Sequence, residues 1–469
     1  MGENLTGETA MPSRAADEIA GRLDRLPFTG LHRRSCGLIA LGVFFESYDV
    51  LIIAVAVTAI LSSLHIGFVQ IGLLISAAYI GMTLGSPLFG WLSEIYGRKP
   101  VMVWTTGGFG ALSIAAAFAW NYDSLLVIRL IEGLALGGQV PVSNALYSEF
   151  LPKARRARSF LYGYTTLYTL GIFLAPFVGF GCFALFGPEI GWRALFVTGG
   201  LGLPLAFVLQ YAMPESARWL AEHGRLAEAD AVVARFERRA QALGKELPAP
   251  KPVYRLAQPP TRAGELFDKS YRARTVLSWS LFFLTYYVSY GLNGWIPTLY
   301  VKLGGLPPKD ALILSTAVGL TMLAMLGVWG AIADWLGRRR CFMVGYGLCI
   351  VGFGFGIVTI GGFGLTSWPY LFVTTLIAGV GVNFTAALCY LYTTEMFPTR
   401  MRAFAAATGA AACRIGGFLA PTVVGGMLGA DMGIVSVLAM FGAISLLGIL
   451  AIAILGPETA NRALEELAT

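Results

Sequence analysis

The chain is divided again and again into apolar runs of a length that suits one environment. About 18 or more mainly apolar residues, wound as a helix, match the ~30 Å hydrocarbon layer of a bilayer. Such runs can be read over residues 38–61, 69–92, 101–119, 124–146, 160–186, 193–213, 275–300, 309–333, 341–361, 368–394, 403–428 and 434–456. Hydrocarbon offers the backbone no partner, so each run must satisfy its own hydrogen bonds and becomes a helix. The runs are continuous rather than alternating, which excludes a β-barrel. Composition agrees: 56% of residues are hydrophobic and 13% charged, against about a quarter charged in ordinary soluble domains. The 58 glycines fit too, since small residues let membrane helices approach closely. The expected fold class is an all-α membrane protein with twelve transmembrane helices.

Orientation follows from the basic residues, which favour the cytoplasmic side. All but five of the 34 lysines and arginines fall in the two tails or the connections on one side. Arg129 and Arg414 lie within runs, and Arg193, Lys302 and Lys309 lie on the other side. Both termini and the long central connection are therefore expected in the cytoplasm, with the chain in the cell (inner) membrane. The net charge of +7 belongs to this topology and gives nucleic-acid binding no support. The first 37 residues hold acids and no apolar core, unlike a signal peptide. Their "AADEIAGRLDRL" reads as a short interfacial helix or as a solvated tail. The six cysteines show no metal-ligand pairing and read as small packing residues. Neither a nucleophile–base set nor a phosphate loop is present, so an enzyme is not expected, and no cofactor is expected beyond a coupling proton. The partners expected are a small-molecule substrate and the lipid bilayer, around a monomer.

The chain also repeats itself. "GWLSEIYGRKP" (90–100) returns as "GAIADWLGRRR" (330–340), and "SEFLPKARRA" (148–157) as "TEMFPTRMRA" (394–403). "TLGIFLAP" (169–176) returns as "RIGGFLAP" (414–421), and "PESARWLAE" (214–222) as "PETANRALEE" (457–466). Four matches at offsets of about 240 to 246 residues imply a duplication. The domains expected are a tail (1–37), a six-helix bundle (38–213), a central connection with helices (214–274), a second six-helix bundle (275–456) and a tail (457–469). Each bundle starts on the same side, so the repeats are parallel and a substrate would sit between them near the midplane. In the central connection, 224–244 is a polar helix candidate and 248–260 a proline-rich linker; tether and latch both remain open.

These motifs resemble those of the major facilitator superfamily along essentially the whole chain. "GWLSEIYGRKP" resembles its loop between spans two and three, and "RLIEGLALGGQVP" (129–141) its span-four motif. Within the superfamily, "GLALGGQVPVSNALYSEFLPKARRAR" and "YGLNGWIPTLYVKLGG" are similar to metabolite:proton symporters that include nicotinate and aromatic-acid carriers. Sugar porters share "PESxRWL" and "PET", but the paired glutamines usual in their span seven are missing here. Gln139 departs from the acid frequent at its place in nicotinate-like carriers. The resemblance implies proton-coupled symport of a small organic acid by alternating access. A sugar or polyol porter, a drug exporter, and a non-transporting receptor on the same fold are the alternatives.

Charges inside the runs identify the candidate machinery. An ionised side chain at the bilayer centre costs about 2.5–3.5 kcal/mol on insertion scales, so it finds a partner, faces the interior or changes protonation. Glu46 and Asp49 in "GVFFESYDVLIIAVAV" share a helical face, as do Arg129 and Glu132. By resemblance spans one and four line the cavity, and Asp49 is expected to pair with Arg129 as the proton-coupling element. Glu46 or Glu132 could instead hold the proton or stay a neutral donor. Arg414 resembles an arginine of organic-anion carriers and is expected to hold a substrate carboxylate; capping a broken helix is the alternative. Other substrate-binding candidates are Gln139, Asn144, Thr165, Tyr168, Tyr286, Tyr287, Tyr290, Asn293, Trp295 and Asn383, although each aromatic could equally be packing. By resemblance the loop motif is a cytoplasmic gate. Gly90, Glu94, Gly97 and Arg98 are matched by Gly330, Asp334, Gly337 and Arg338, with Glu149 and Glu395 as partners for the arginines.

Overall fold

The computed structural model describes residues 14–151, 160–250, 263–397 and 401–459. Within them the chain is helical, with no strand. The amphipathic helix α1 (Arg14–Asp24) precedes the long α2 (Gly30–Ser63). At 1.5 Å per residue α2 runs about 51 Å, longer than the hydrocarbon layer. The first half continues through α3 (Phe68–Tyr96), α4 (Arg98–Ala117), α5 (Tyr122–Phe150), a π-helical turn (Phe160–Thr165), α6 (Thr166–Gly199) and α7 (Gly202–Ala212). Asn121 starts α5 by accepting the Ser124 N–H at 2.8 Å, which satisfies one of the orphan donors of a first turn. Gly187, at φ 71°, breaks α6, in agreement with separate runs at 160–186 and 193–213.

Two helices lie between the halves, α8 (Ala217–Glu222) and α9 (Leu226–Gln241). The second half is α10 (Arg272–Lys302), α11 (Pro308–Leu336), α12 (Arg338–Gly356), α13 (Trp368–Met396), α14 (Arg402–Gly429) and α15 (Gly433–Leu455). Nine stretches among the described residues are long and apolar enough to cross a membrane, and one of them, Gly163–Ala212, contains the Gly187 break. The twelve runs read from sequence exceed this by three, because Gly163–Ala212 holds two of them and α10 and α11 fall outside the nine. In α10 the cause is visible: Ser278, Thr285, Tyr286, Ser289, Tyr290 and Asn293 lower its hydropathy.

Packing explains the glycines where helices touch. A Cβ on Gly81 of α3 would meet the Leu130 carbonyl of α5, and one on Gly137 of α5 would meet the Met82 carbonyl of α3. The two helices pack backbone to backbone, as small residues permit. The halves meet mainly through α3 on α14 and α6 on α11. In the first seam Ser76 Oγ donates to the Phe418 carbonyl at 2.6 Å and Thr422 Oγ1 to Ser76 Oγ at 2.7 Å. Those contacts fall in the part of α3 nearest Phe68, far from the loop that joins α3 to α4. The six cysteines are free and buried. Large apolar side chains such as Leu185, Tyr211 and Ile454 lie on the outside, where the solvent of such a chain is lipid.

Candidate functional site

Arg129 of α5 is 0% exposed and bridges two equally buried carboxylates. Its Nη1 donates to Asp49 Oδ1 at 3.0 Å and to Glu132 Oε2 at 2.7 Å. The guanidinium carbon sits 5.6 Å from the centre of the Phe196 ring. Asp49 Oδ2, Glu132 Oε1, and Arg129 Nε and Nη2 have no hydrogen-bond partner. Two carboxylates on one nitrogen leave the ionised set with a surplus negative charge in a medium where a lone charge is costly. One proton removes that surplus. A Cβ on Gly199 would come 2.7 Å from Asp49 Oδ2, so the triad needs a glycine there.

A cavity of about 350 Å³ lies between the halves. Of the residues expected to bind substrate, it brings together Thr165, Tyr168, Tyr286, Tyr290, Asn293 and Asn383. It adds Ser47, Tyr79, Ser289 and Tyr390, which the sequence reading did not single out. Tyr79 and Tyr290 face each other across the halves at 4.6 Å between ring centres, and Tyr286 lies 5.5 Å from Tyr290. The Asn383 Oδ1 has no partner. The walls are thus aromatic and apolar with a few polar groups, the usual make-up of a small-molecule site.

Other candidates lie elsewhere. The resemblance puts spans one and four on the cavity, but only α2 reaches it; no α5 residue is in the wall. The reason is packing: α5 spends its glycine face on α3 and turns Arg129 and Glu132 toward α2 inside the first half. Gln139 accepts from Thr105 Oγ1 at 2.6 Å and Thr106 Oγ1 at 3.0 Å and donates to Ser143 Oγ at 3.2 Å. That network ties α4 to α5 and leaves Gln139 fully buried away from the wall. Asn144, on the same helix, is also outside it, its Oδ1 buried without a partner. Tyr287 points its hydroxyl at Met440 Sδ, 3.6 Å away. Trp295 is 1% exposed in the core, its ring 6.0 Å from that of Phe68.

Arg414 does not line the cavity either. It lies one turn before Gly417, whose open side is covered by the Tyr79 and Tyr290 rings. It is within electrostatic reach of Glu46 on α2 and of Tyr390 on α13.

At the loop motifs, Arg98 pairs with Glu94 at 2.8 Å and lies 3.6 Å from Glu149. Arg338 reaches Glu395 at 3.1 Å. Gly97 (φ 108°) and Gly337 (φ 89°) make the turns in a region that a side chain rarely adopts. Gly90 continues α3 and offers its carbonyl to Ser93 Oγ at 2.7 Å. Gly330 and Asp334 lie outside the residues whose side chains are described. Each of these pairs stays within its own half. Two further acids were missed. Glu215 accepts the Lys99 N–H at 3.1 Å, and Glu458 the N–H groups of Arg338 and Arg339 at 2.8 and 3.3 Å. Each caps the helix after a motif loop, which suits a negative charge. Burial raises the Glu215 carboxyl above its ordinary range, while N–H groups of Ser216 and Lys99 oppose that. The available signal was the repeat of "PES" as "PET".

Residues 36–469 match the family described as sugar (and other) transporter. The niacin transporter NiaP of Acinetobacter baylyi is 31% identical over 455 residues, covering 96% of this chain and 99% of that protein. The gallate transporter of Pseudomonas putida is 28% identical, covering 92% and 93%. Among solved structures, the inward open conformation of the xylose transporter XylE from E. coli superimposes with a TM-score of 0.73 at 17% identity, covering 93% of this chain and 99% of that one.

Proposed function

This chain belongs to the sugar (and other) transporter family, within the major facilitator superfamily, and on that premise we propose that it carries a small aromatic carboxylate together with a proton. It is a multi-pass membrane carrier rather than an enzyme. In this reading twelve spans form two parallel six-helix repeats in the cell membrane, both termini are cytoplasmic, and the chain works as a monomer. The seam between α3 and α14 is then closed on the outside. In this reading the cavity opens to one side of the membrane at a time as the halves rock.

The observation that supports the substrate class is the tyrosine-walled cavity, with Arg414 one helical turn from Gly417, which the Tyr79 and Tyr290 rings cover. Flat rings stack on a planar ligand, and a guanidinium forks onto a carboxylate. The related niacin and gallate transporters support that choice over a sugar. Coupling is assigned to Asp49, Arg129 and Glu132. A proton on the set neutralises its surplus charge and loosens the hold on Arg129; its release restores the bridge. A potential of 100 mV contributes about 2.3 kcal/mol per charge moved. The loop-motif arginines with Glu149 and Glu395 act as the cytoplasmic gate.

Uptake into proteoliposomes tests the reading. Labelled nicotinate or 4-hydroxybenzoate should accumulate when the outside is made acidic, and xylose should not. Xylose accumulation, or acid uptake indifferent to the pH gradient, would overturn it.

A further inference from the structure

Asp49 spends one oxygen on Arg129 and keeps the other, Oδ2, without a partner. Near Oδ2 stands Ser113 of α4, 0% exposed and the single hydroxyl in the apolar run "GALSIAAAFA". A Cβ on Gly199 of α6 would collide with Ser113 Oγ and come 2.7 Å from Asp49 Oδ2. One point therefore lies 2.7 Å from Asp49 Oδ2 and closer still to Ser113 Oγ, so the two oxygens border one gap and are less than twice that distance apart. Ser113 Oγ donates its hydrogen to the Phe196 carbonyl at 3.0 Å. A hydroxyl has one hydrogen and two lone pairs, so toward Asp49 this one can only accept. Phe196 fixes the arrangement at both ends, with its carbonyl on Ser113 and its ring 5.6 Å from the Arg129 guanidinium carbon. The charged groups around Asp49 are Arg129 and Glu132 of α5 and the buried Glu46 one turn earlier on α2. The adjoining Tyr48 hydroxyl is engaged by Thr198 Oγ1 at 2.6 Å. To this set α4 and α6 bring Ser113, Phe196 and Gly199.

We propose that Ser113 is a positioning residue of the coupling set: it accepts the hydrogen of a protonated Asp49 Oδ2, across the gap that Gly199 leaves open. The proposal rests on the reading that the buried triad couples transport to a proton. Its logic is that of a hydroxyl whose only hydrogen is already placed. To an ionised Asp49 it turns lone pairs, which offer nothing and repel. To a protonated Asp49 it is an acceptor, and a hydrogen bond made only to the neutral form favours that form. The carboxyl swings into the gap by turning about its last torsion, which is soft for this side chain. The proton comes from water and ends on Asp49 Oδ2. The Asp49 Oδ1 bond to Arg129 loosens, and the Ser113 hydrogen stays on the Phe196 carbonyl. Ser113 thereby steadies the state in which Arg129 is released, and Gly199 supplies the room for it.

Infrared difference spectroscopy of the purified full chain in nanodiscs tests this without a substrate. It follows the C=O stretch of neutral carboxyl groups between about pH 4 and pH 9, from the ordinary carboxylic acid range upward. Wild type should show a band that grows on acidification and is lost in Asp49→Asn. In Ser113→Ala the midpoint of that band should fall by about one pH unit, a tenfold weaker hold on the proton and the size of one hydrogen bond. Its frequency should rise, because the carboxyl has lost its acceptor. Ser113→Thr should keep both wild-type values. Gly199→Ala should lower the midpoint with Ser113 in place, since its methyl fills the gap, and this arm stands if Ser113→Ala fails to fold. A serine that only ties α4 to α6 would change the thermal midpoint and leave the band where it is. That result, a band lost in Glu132→Gln rather than in Asp49→Asn, or no titrating band at all overturns the proposal. The coupling reading survives those results if Asp49→Asn fails to accumulate nicotinate under a pH gradient that drives wild type. Accumulation by Asp49→Asn at the wild-type level overturns the coupling reading and the proposal with it.

Discussion

Arg129 is a residue on which stability depends and to which the proposed function assigns the coupling. It ties two buried acids to one nitrogen, at 3.0 and 2.7 Å. Removing one member of a buried charge set typically costs about 3–5 kcal/mol, because the partners stay buried and unpaired. Arg129→Gln should therefore lower the thermal midpoint sharply. Adding Asp49→Asn and Glu132→Gln should recover much of the loss without restoring coupled transport. An unchanged midpoint for the single variant contradicts the charge accounting. At this scale the sequence was informative about which residues were costly and less so about where they point. Asp49 and Arg129 stood out as charges in apolar runs, and the structure pairs them. Gln139 stood out equally, yet it ties helices together, because a residue's position along a helix does not say which neighbour its face meets. Tyr79 went unnoticed for the converse reason: a single tyrosine in an apolar run has the pattern of packing, and only the approach of Tyr290 from the other half gives it a wall to form.

Helix contacts set how the elements respond to change. At Gly81 a single methyl meets the Leu130 carbonyl, whereas Gly347 of α12 has nothing within 4 Å. Gly81→Leu should cost about 1–3 kcal/mol or more through overpacking and reduce the folded yield seen by size exclusion. Gly347→Ala should be neutral or slightly stabilising, since glycine inside a helix costs about 0.5–1 kcal/mol relative to alanine. Equal losses at both sites would contradict the packing account. The helix α1 is held differently. Arg22 reaches Glu237 of α9 at 2.7 Å and Arg25 reaches it at 2.6 Å, while Arg218 reaches Asp24 at 2.7 Å. The hydrogen bond from Arg22, helped by Arg25, holds the Glu237 carboxyl below its ordinary range, against the effect of burial. A depressed acid stabilises the docked form above the ordinary carboxylate value of about 4.3 and loses that contribution as pH falls through the depressed one. Amide protection factors in 14–24 should be high at pH 7, lower below pH 4, and low at both in Glu237→Gln, with intrinsic exchange rates corrected for pH. Unchanged exchange in that variant contradicts the tether. Within "AADEIAGRLDRL", read as an interfacial helix or a solvated tail, a helix is present, and it docks on charged groups from the central connection, a pairing across some two hundred residues that no local pattern displays.

For the molecule as a whole, duplication was the most legible feature. Four motif pairs at nearly one spacing predicted two like halves, and the all-helical chain superimposes on the XylE fold. Hydropathy alone was a weaker guide: α10 carries the polar residues that line the cavity, and the same residues hide it from a hydropathy criterion. The position of the cavity between halves, walled by aromatic rings, follows from the fold. What a rocking carrier adds is a change in which side sees the buried charges, so the coupling set must be judged by transport. The most direct measurement compares wild type and Asp49→Asn in proteoliposomes with labelled nicotinate, once under an imposed pH gradient and once as exchange at equal pH. Wild type should accumulate nicotinate against its gradient, and Asp49→Asn should only exchange it. Accumulation by Asp49→Asn at the wild-type level would contradict a coupling role for the buried triad.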